Sequence, residues 1–160
     1  MLEVSQLDNT SAELPRKLLD ISKIIRAEME HLPVKEGVEY RLKLAAPEIV
    51  FPLHRSYVSL LVRELLKNAV KFTEQGSVTV ECGLTGPDTL TLSVTDTGCG
   101  VEPGLAEKIF DRFYKVDPFA QGLGLGLSLC RLIVEKLGGT IVLDTSYTGG
   151  ARFVVTLRDT

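Results

Sequence analysis

Residues 63–72 read Arg63-Glu64-Leu65-Leu66-Lys67-Asn68-Ala69-Val70-Lys71-Phe72. Together with the residues before them they predict a helix from about Ser56 to Phe72, because Val58, Leu61, Val62, Leu65, Leu66 and Ala69 fall on one broad apolar face. Glu64, Asn68 and Lys71 stand at i, i+4 and i+7, and a helix gathers such positions within about 60° on the border of that face. A carboxylate, an amide oxygen and an ammonium at a core boundary could together hold a metal ion and phosphates. Magnesium suits them, since it prefers hard oxygen ligands, keeps several waters and needs only one or two protein groups. The same spacing also describes the polar edge of an ordinary amphipathic helix, so its meaning depends on the rest of the chain.

Downstream, residues 77–84 and 89–95 alternate as two strands joined by a Thr-Gly-Pro-Asp turn, a hairpin signal. The second strand ends in Thr95-Asp96-Thr97-Gly98-Cys99-Gly100. A carboxylate at a strand end can accept a hydrogen bond from an exocyclic amine such as that of adenine, and the glycines let backbone approach a flat ligand. Asp-x-Gly alone is also an ordinary turn between elements. Residues 96–126 then form a long loop region rich in Gly and Pro, with a short helical turn around 103–110; loops of that length in a compact domain are usually functional. Inside it, Phe110-Asp111-Arg112-Phe113-Tyr114-Lys115 places two aromatics three apart with a cation beside each. Gln121-Gly122-Leu123-Gly124-Leu125-Gly126-Leu127 follows, three glycines at alternate positions directly before a helix at 127–137. Backbone N–H groups and a helix N-terminus there can face an anion, although the pattern is neither GxGxxG nor a Walker A loop.

Upstream, residues 2–7 read as a short edge strand, and Asp8 to Ser11 supply candidate N-caps for a helix carrying Leu14, Leu18, Ile21, Ile25 and Met29 on one stripe. Residues 38–44 alternate as a half-buried strand, and 140–145 with 151–158 close the chain as another strand pair. Helices and strands in segregated runs imply an α+β fold with helices on one face of a mixed sheet.

The chain has 160 residues, 44% hydrophobic and 24% charged, with a formal charge of −3, which suits one globular domain and gives no general pull toward nucleic acid. No apolar run suggests a membrane span, and the N-terminus lacks a signal-peptide pattern. The three cysteines, Cys82, Cys99 and Cys130, are too few and scattered for a disulfide framework or a zinc site and read as reduced and structural. A soluble intracellular domain is the expectation.

The joint order is more specific than any of its parts. Glu-x-x-x-Asn-x-x-Lys, Asp-x-Gly-x-Gly, Phe-x-x-Phe and Gly-x-Gly-x-Gly, in that order, resemble the N, G1, F and G2 boxes of the sensor histidine kinase ATP-binding domain, within the superfamily that includes gyrase, Hsp90 and MutL. The resemblance covers residues 2–158 and implies the Bergerat fold, a two-layer α/β sandwich with a mainly antiparallel sheet, in one domain over 1–160 with a flexible lid at about 101–123. It implies ATP and Mg2+ as cofactors. Asn68 resembles the magnesium ligand and Lys71 the basic residue at the phosphates. Glu64 stands where gyrase-type ATPases carry a catalytic glutamate, so it is expected to act as a base or to help hold the metal. Asp96 resembles the adenine-reading aspartate, with Gly98 and Gly100 giving clearance. Phe110 and Phe113 resemble the F-box anchors, flanked by Arg112 and Lys115. Gly122, Leu123, Gly124, Leu125, Gly126 and Leu127 resemble the G2 run that closes over the phosphates. Thr156 falls where a threonine near the adenine is expected, and Gly149-Gly150-Ala151 resembles a degenerate final glycine box.

Neither His31 nor His54 sits in a phosphoacceptor-type box. The resemblance therefore implies a catalytic fragment whose partners are a dimerisation and phosphoacceptor domain of the same parent and a response-regulator receiver, with the fragment itself cytoplasmic and monomeric. A conformational ATPase, an anti-sigma-factor-type serine kinase and a non-catalytic nucleotide-binding module are the alternatives.

Overall fold

The computed structural model describes residues 16–111 and 126–159. In chain order the elements are β1 (Lys17–Asp20), α1 (Ile21–Glu30), β2 (Val38–Leu44), β3 (Val50–Leu53), α2 (Arg55–Phe72), β4 (Gly76–Gly86), β5 (Thr89–Asp96), 3-10 turns at Pro103–Leu105 and Lys108–Phe110, α3 (Gly126–Lys136), β6 (Thr140–Leu143) and β7 (Arg152–Arg158). Five strands form one sheet in the order β2-β4-β5-β7-β6, parallel only between β2 and β4, and β1 pairs antiparallel with β3 in a separate ribbon. The mixed, mainly antiparallel sheet is the one expected.

Strand alternation explains the two layers. Val78 and Val80 on β4, Leu90, Leu92 and Val94 on β5, and Phe153, Val155 and Leu157 on β7 are all buried in one cluster with α1, α2 and α3. Their neighbours Thr79, Thr91, Thr95 and Thr156 alternate onto the opposite face. The apolar face of α2 is the one read from sequence: Val58, Leu61, Val62, Leu65, Leu66 and Ala69 are its buried residues.

The first helix begins later than its stripe predicts. Residues 17–20 are strand, and Leu18 is 73% exposed rather than part of a helical core face. Asp20 sets the boundary: its Oδ1 accepts from Ser22 N–H (3.1 Å), Ser22 Oγ (2.6 Å) and Ile49 N–H (3.2 Å), so one carboxylate caps α1 and ties it to the start of β3. The Ser22 bonds hold that carboxyl below the usual range against a smaller desolvation effect. The ribbon is then fastened to the body by Arg16, which donates to the carbonyls of Pro52 (3.3 Å), Leu137 (2.7 Å) and Arg158 (3.1 Å).

The expected strand at 2–7, the candidate caps at 8–11, Leu14, and the residues from Arg112 to Leu125 lie outside the described residues. Of the range expected as a lid, residues 101–111 are described, and two of their side chains are packed. Ile109 and Phe110 are each 4% exposed, and Phe110 meets Phe153 edge to face at 6.0 Å with the Arg131 guanidinium 5.0 Å from its ring centroid. No helix among the described residues is long and apolar enough to cross a membrane.

Candidate nucleotide site

Two structures meet at the C-terminal end of α2: the helix edge with Glu64, Asn68 and Lys71, and the loop after β5 that begins at Asp96. Asp96 is 2% exposed and faces the helix layer. Its Oδ1 accepts from Gly98 N–H (2.9 Å) and Ala151 N–H (3.1 Å), whereas Oδ2 has no partner among the described residues. One oxygen thus orients the carboxylate and the other remains an acceptor for a ligand amine. Burial pushes the carboxyl above its ordinary value, and the two amide bonds oppose that shift.

The backbone around Asp96 leaves no room for side chains. A Cβ at Gly98 would lie 2.1 Å from Phe72 O, and one at Gly150 would lie 2.1 Å from Asp96 O. Gly100, at φ +72°, approaches Gly150 O in the same way. Tyr147 Oη donates to Asp96 O (3.0 Å), and Asp96 N–H donates to Ala151 O (2.8 Å). Thr97 is tied to β4 by its N–H on Ser77 O (3.1 Å) and by its Oγ1, which accepts from Ser77 N–H (2.9 Å). Cys99 is exposed in this loop, while Cys82 and Cys130 are buried.

On α2, Glu64 is 15% exposed and pairs with Lys67 at 3.4 Å. It also reaches the beginning of α3, since a Cβ at Gly126 would lie 3.4 Å from its Oε1. Burial and then the Glu64 charge push the Cys130 thiol far up, so that cysteine is an inert core residue. Asn68 is half-buried, and exposed Lys71 holds its ammonium 5.4 Å from the Phe72 ring centroid. Among the described residues no three His, Cys, Asp or Glu side chains cluster as a metal cage. The two oxygen donors Glu64 and Asn68 fit a magnesium ion that takes its remaining ligands from water and phosphate.

The structure brings Glu64, Asn68, Lys71, Asp96, Gly98, Gly100, Gly126 and Leu127 to the neighbourhood of α2 and α3. Phe110 also lies beside α3, under Arg131, but with its ring buried against Phe153, whereas Thr156 is not brought there. Phe110 is a core residue that anchors the loop. Thr156 pairs with Thr91 and Thr140 on the opposite face of the sheet, five positions along β7 from Ala151 and so about 16 Å away. Arg112, Phe113, Lys115, Gly122, Leu123, Gly124 and Leu125 lie outside the described residues. The Gly149-Gly150-Ala151 stretch, expected as a degenerate glycine box, closes on Asp96 through the β5–β7 pairing, and Tyr147, which carries no sequence signal, joins it there.

A buried acid with one oxygen unpartnered among the described residues, glycines that let backbone pack around it and a polar helix edge fit a nucleotide-binding class of site. The chain belongs to the family of histidine kinase-, DNA gyrase B- and HSP90-like ATPases, which matches residues 54–160. Within it the resemblance is to the catalytic domains of sensor kinases. The chain is 34% identical to the sensor protein IrlS of Burkholderia pseudomallei over 91% of its own length and 32% of that protein's. It is 31% identical to the sensor protein KdpD of Escherichia coli over 98% of its length and 18% of that protein's. It therefore spans a third or less of these relatives. Among solved structures, full-length ShkA in complex with AMPPNP superimposes with a TM-score of 0.86 at 26% identity, over 98% of this chain and 34% of that one. The mycobacterial sensor histidine kinase MprB superimposes with a TM-score of 0.80 at 23% identity, over 89% of this chain and 97% of that one. The chain is thus an ATP-binding catalytic domain of the sensor histidine kinase type.

Proposed function

We propose that this domain binds ATP with magnesium and passes the γ-phosphoryl group to a histidine on a dimerisation domain of the same parent protein, from which it moves to the receiver domain of a response regulator. The observation that carries the reading is Asp96, buried with one oxygen held by two amides and the other without a partner among the described residues. That oxygen would accept the adenine amino group, while Gly98, Gly100 and Gly150 let the surrounding backbone close tightly around the carboxylate and hold it in place. Glu64 and Asn68 would hold the magnesium ion, which supplies neutralisation of phosphate charge. Lys71 would reach the phosphates, and the N–H groups opening α3 at Gly126 and Leu127 would face them. The acceptor imidazole attacks the γ-phosphorus, the bond to the β–γ bridging oxygen breaks, ADP leaves, and the imidazole proton passes to a base. Glu64 is the candidate for that base in the alternative in which Asn68 alone holds the metal. The chain's own contribution is positioning and charge complementarity. A domain that draws on ATP in this way would lie on the cytoplasmic side.

The test mixes this chain with a separately made phosphoacceptor domain and labelled ATP. Label appearing on the acceptor histidine is expected, and its absence despite tight ATP binding would sink the kinase reading. The place of Glu64 on the α2 edge, beside the start of α3, favours a second reading as an ATPase. Steady phosphate release by this chain alone would mark that case.

A further inference from the structure

Every group proposed to meet phosphate or metal from α2 lies in its last three turns, so the position of that helix end matters to all of them. Helix ends leave their final carbonyls without intrahelical partners. In α2 these carbonyls are taken up by several neighbours. Ala69 O accepts from Thr73 Oγ1 (2.8 Å), Val70 O accepts from Thr73 N–H (3.3 Å), and Phe72 O accepts from Cys99 N–H (3.4 Å). The remaining bond comes from far along the chain: Lys35 Nζ donates to Val70 O at 2.8 Å and is partly buried there.

Lys35 is held on a braced support. Its own carbonyl accepts from Val38 N–H (3.0 Å) at the entry to β2. Tyr40 Oη reaches back to Pro33 O (2.7 Å), and Gly37 O accepts from Gly76 N–H (2.8 Å), closing the 31–37 connection onto the start of β4. Gly37 makes the necessary turn at φ +83°. An ammonium on a C-terminal helix carbonyl forms a charge-assisted hydrogen bond and also complements the helix dipole. Lys35 is therefore a cation that ties the last turn of α2 to the 31–37 connection, which is itself closed onto β4.

We infer that Lys35 is a positioning residue for the phosphate and metal end of the site, acting through Val70 O on Asn68 and Lys71. The inference rests on the nucleotide reading above and adds to it a residue from a different element. Lys35→Met keeps the aliphatic stem and removes the ammonium. Hydrogen exchange of the Thr73 amide and its neighbours in the last turn of α2 is expected to accelerate about tenfold in Lys35→Met, with the core strands unchanged. By calorimetry, magnesium–ATP affinity falls about fivefold while adenosine affinity holds, and Lys35→Arg restores both exchange and affinity.

Unchanged exchange in the last turn overturns the inference, whatever the nucleotide data. Equal losses for adenosine and magnesium–ATP, accompanied by a lower Tm, make Lys35 a general stability residue and overturn it as well. Failure of the unsubstituted chain to bind either adenosine or ATP is a different result; it overturns the nucleotide reading, and the positioning role falls with it.

Discussion

At the Asp96 end of the site, the acid is buried and oriented by two amides, and three glycines run against backbone oxygens. At the α2 end, Glu64, Asn68 and Lys71 project from a helix edge that is partly or fully exposed, and their positions depend on how the helix terminus is fixed. The first region is made of backbone and tolerates almost no added atoms. The second is made of side chains and is completed by ligands that bring their own charge. Disturbance of the first should be all-or-none, whereas disturbance of the second should be graded.

The largest effect is expected from Gly98→Ala, whose Cβ would fall 2.1 Å from Phe72 O. Either the Asp96 loop or the end of α2 must move, so we expect a loss of about 3 kcal/mol of stability together with loss of nucleotide binding. Thermal unfolding and ATP titration read both, and a variant with native Tm would break the contrast at its rigid end.

Asp96→Asn separates stability from binding. Because burial raises the folded pKa of this carboxyl, its contribution to stability is full below its unfolded pKa of about 4 and is lost as pH rises through the folded value. Asparagine keeps an oxygen for the Gly98 and Ala151 amides and carries no charge. The variant should melt higher than the unsubstituted chain at pH 7, with the gap shrinking toward pH 4, while ATP binds about 100-fold more weakly. A variant that melts lower at pH 7 would contradict the sign.

At the graded end, Asn68→Ala should weaken magnesium–ATP about tenfold and leave adenosine binding unaltered. Equal weakening of both ligands would dissolve the distinction between the two regions. The smallest effect is expected from Thr156→Val, which lies on the opposite sheet face and should change ATP affinity by less than about twofold.

What sequence could show follows the same division. The apolar face of α2 and the alternation of β4, β5 and β7 are local periodicities, and the buried residues match them. The β1–β3 ribbon is not local: four-residue β3 contains Pro52, and the Asp20 cap that ends β1 depends on Ile49, distant in sequence. Threonine at 156 could be placed near the adenine only while the register of β7 was unknown. The pairing of Thr95 with Arg152 fixes that register and puts Ala151, not Thr156, against Asp96. Lys35 carried no motif at all; its role depends on a bond spanning 35 positions.

The most direct test of this two-ended account is calorimetric titration of the chain with ATP, adenosine and GTP, each with and without magnesium. The account predicts saturable one-to-one ATP binding that magnesium strengthens, adenosine binding that magnesium leaves alone, and little binding of GTP, whose ring oxygen would face the Asp96 carboxylate. Absence of saturable ATP binding, or GTP bound as tightly as ATP, would contradict it.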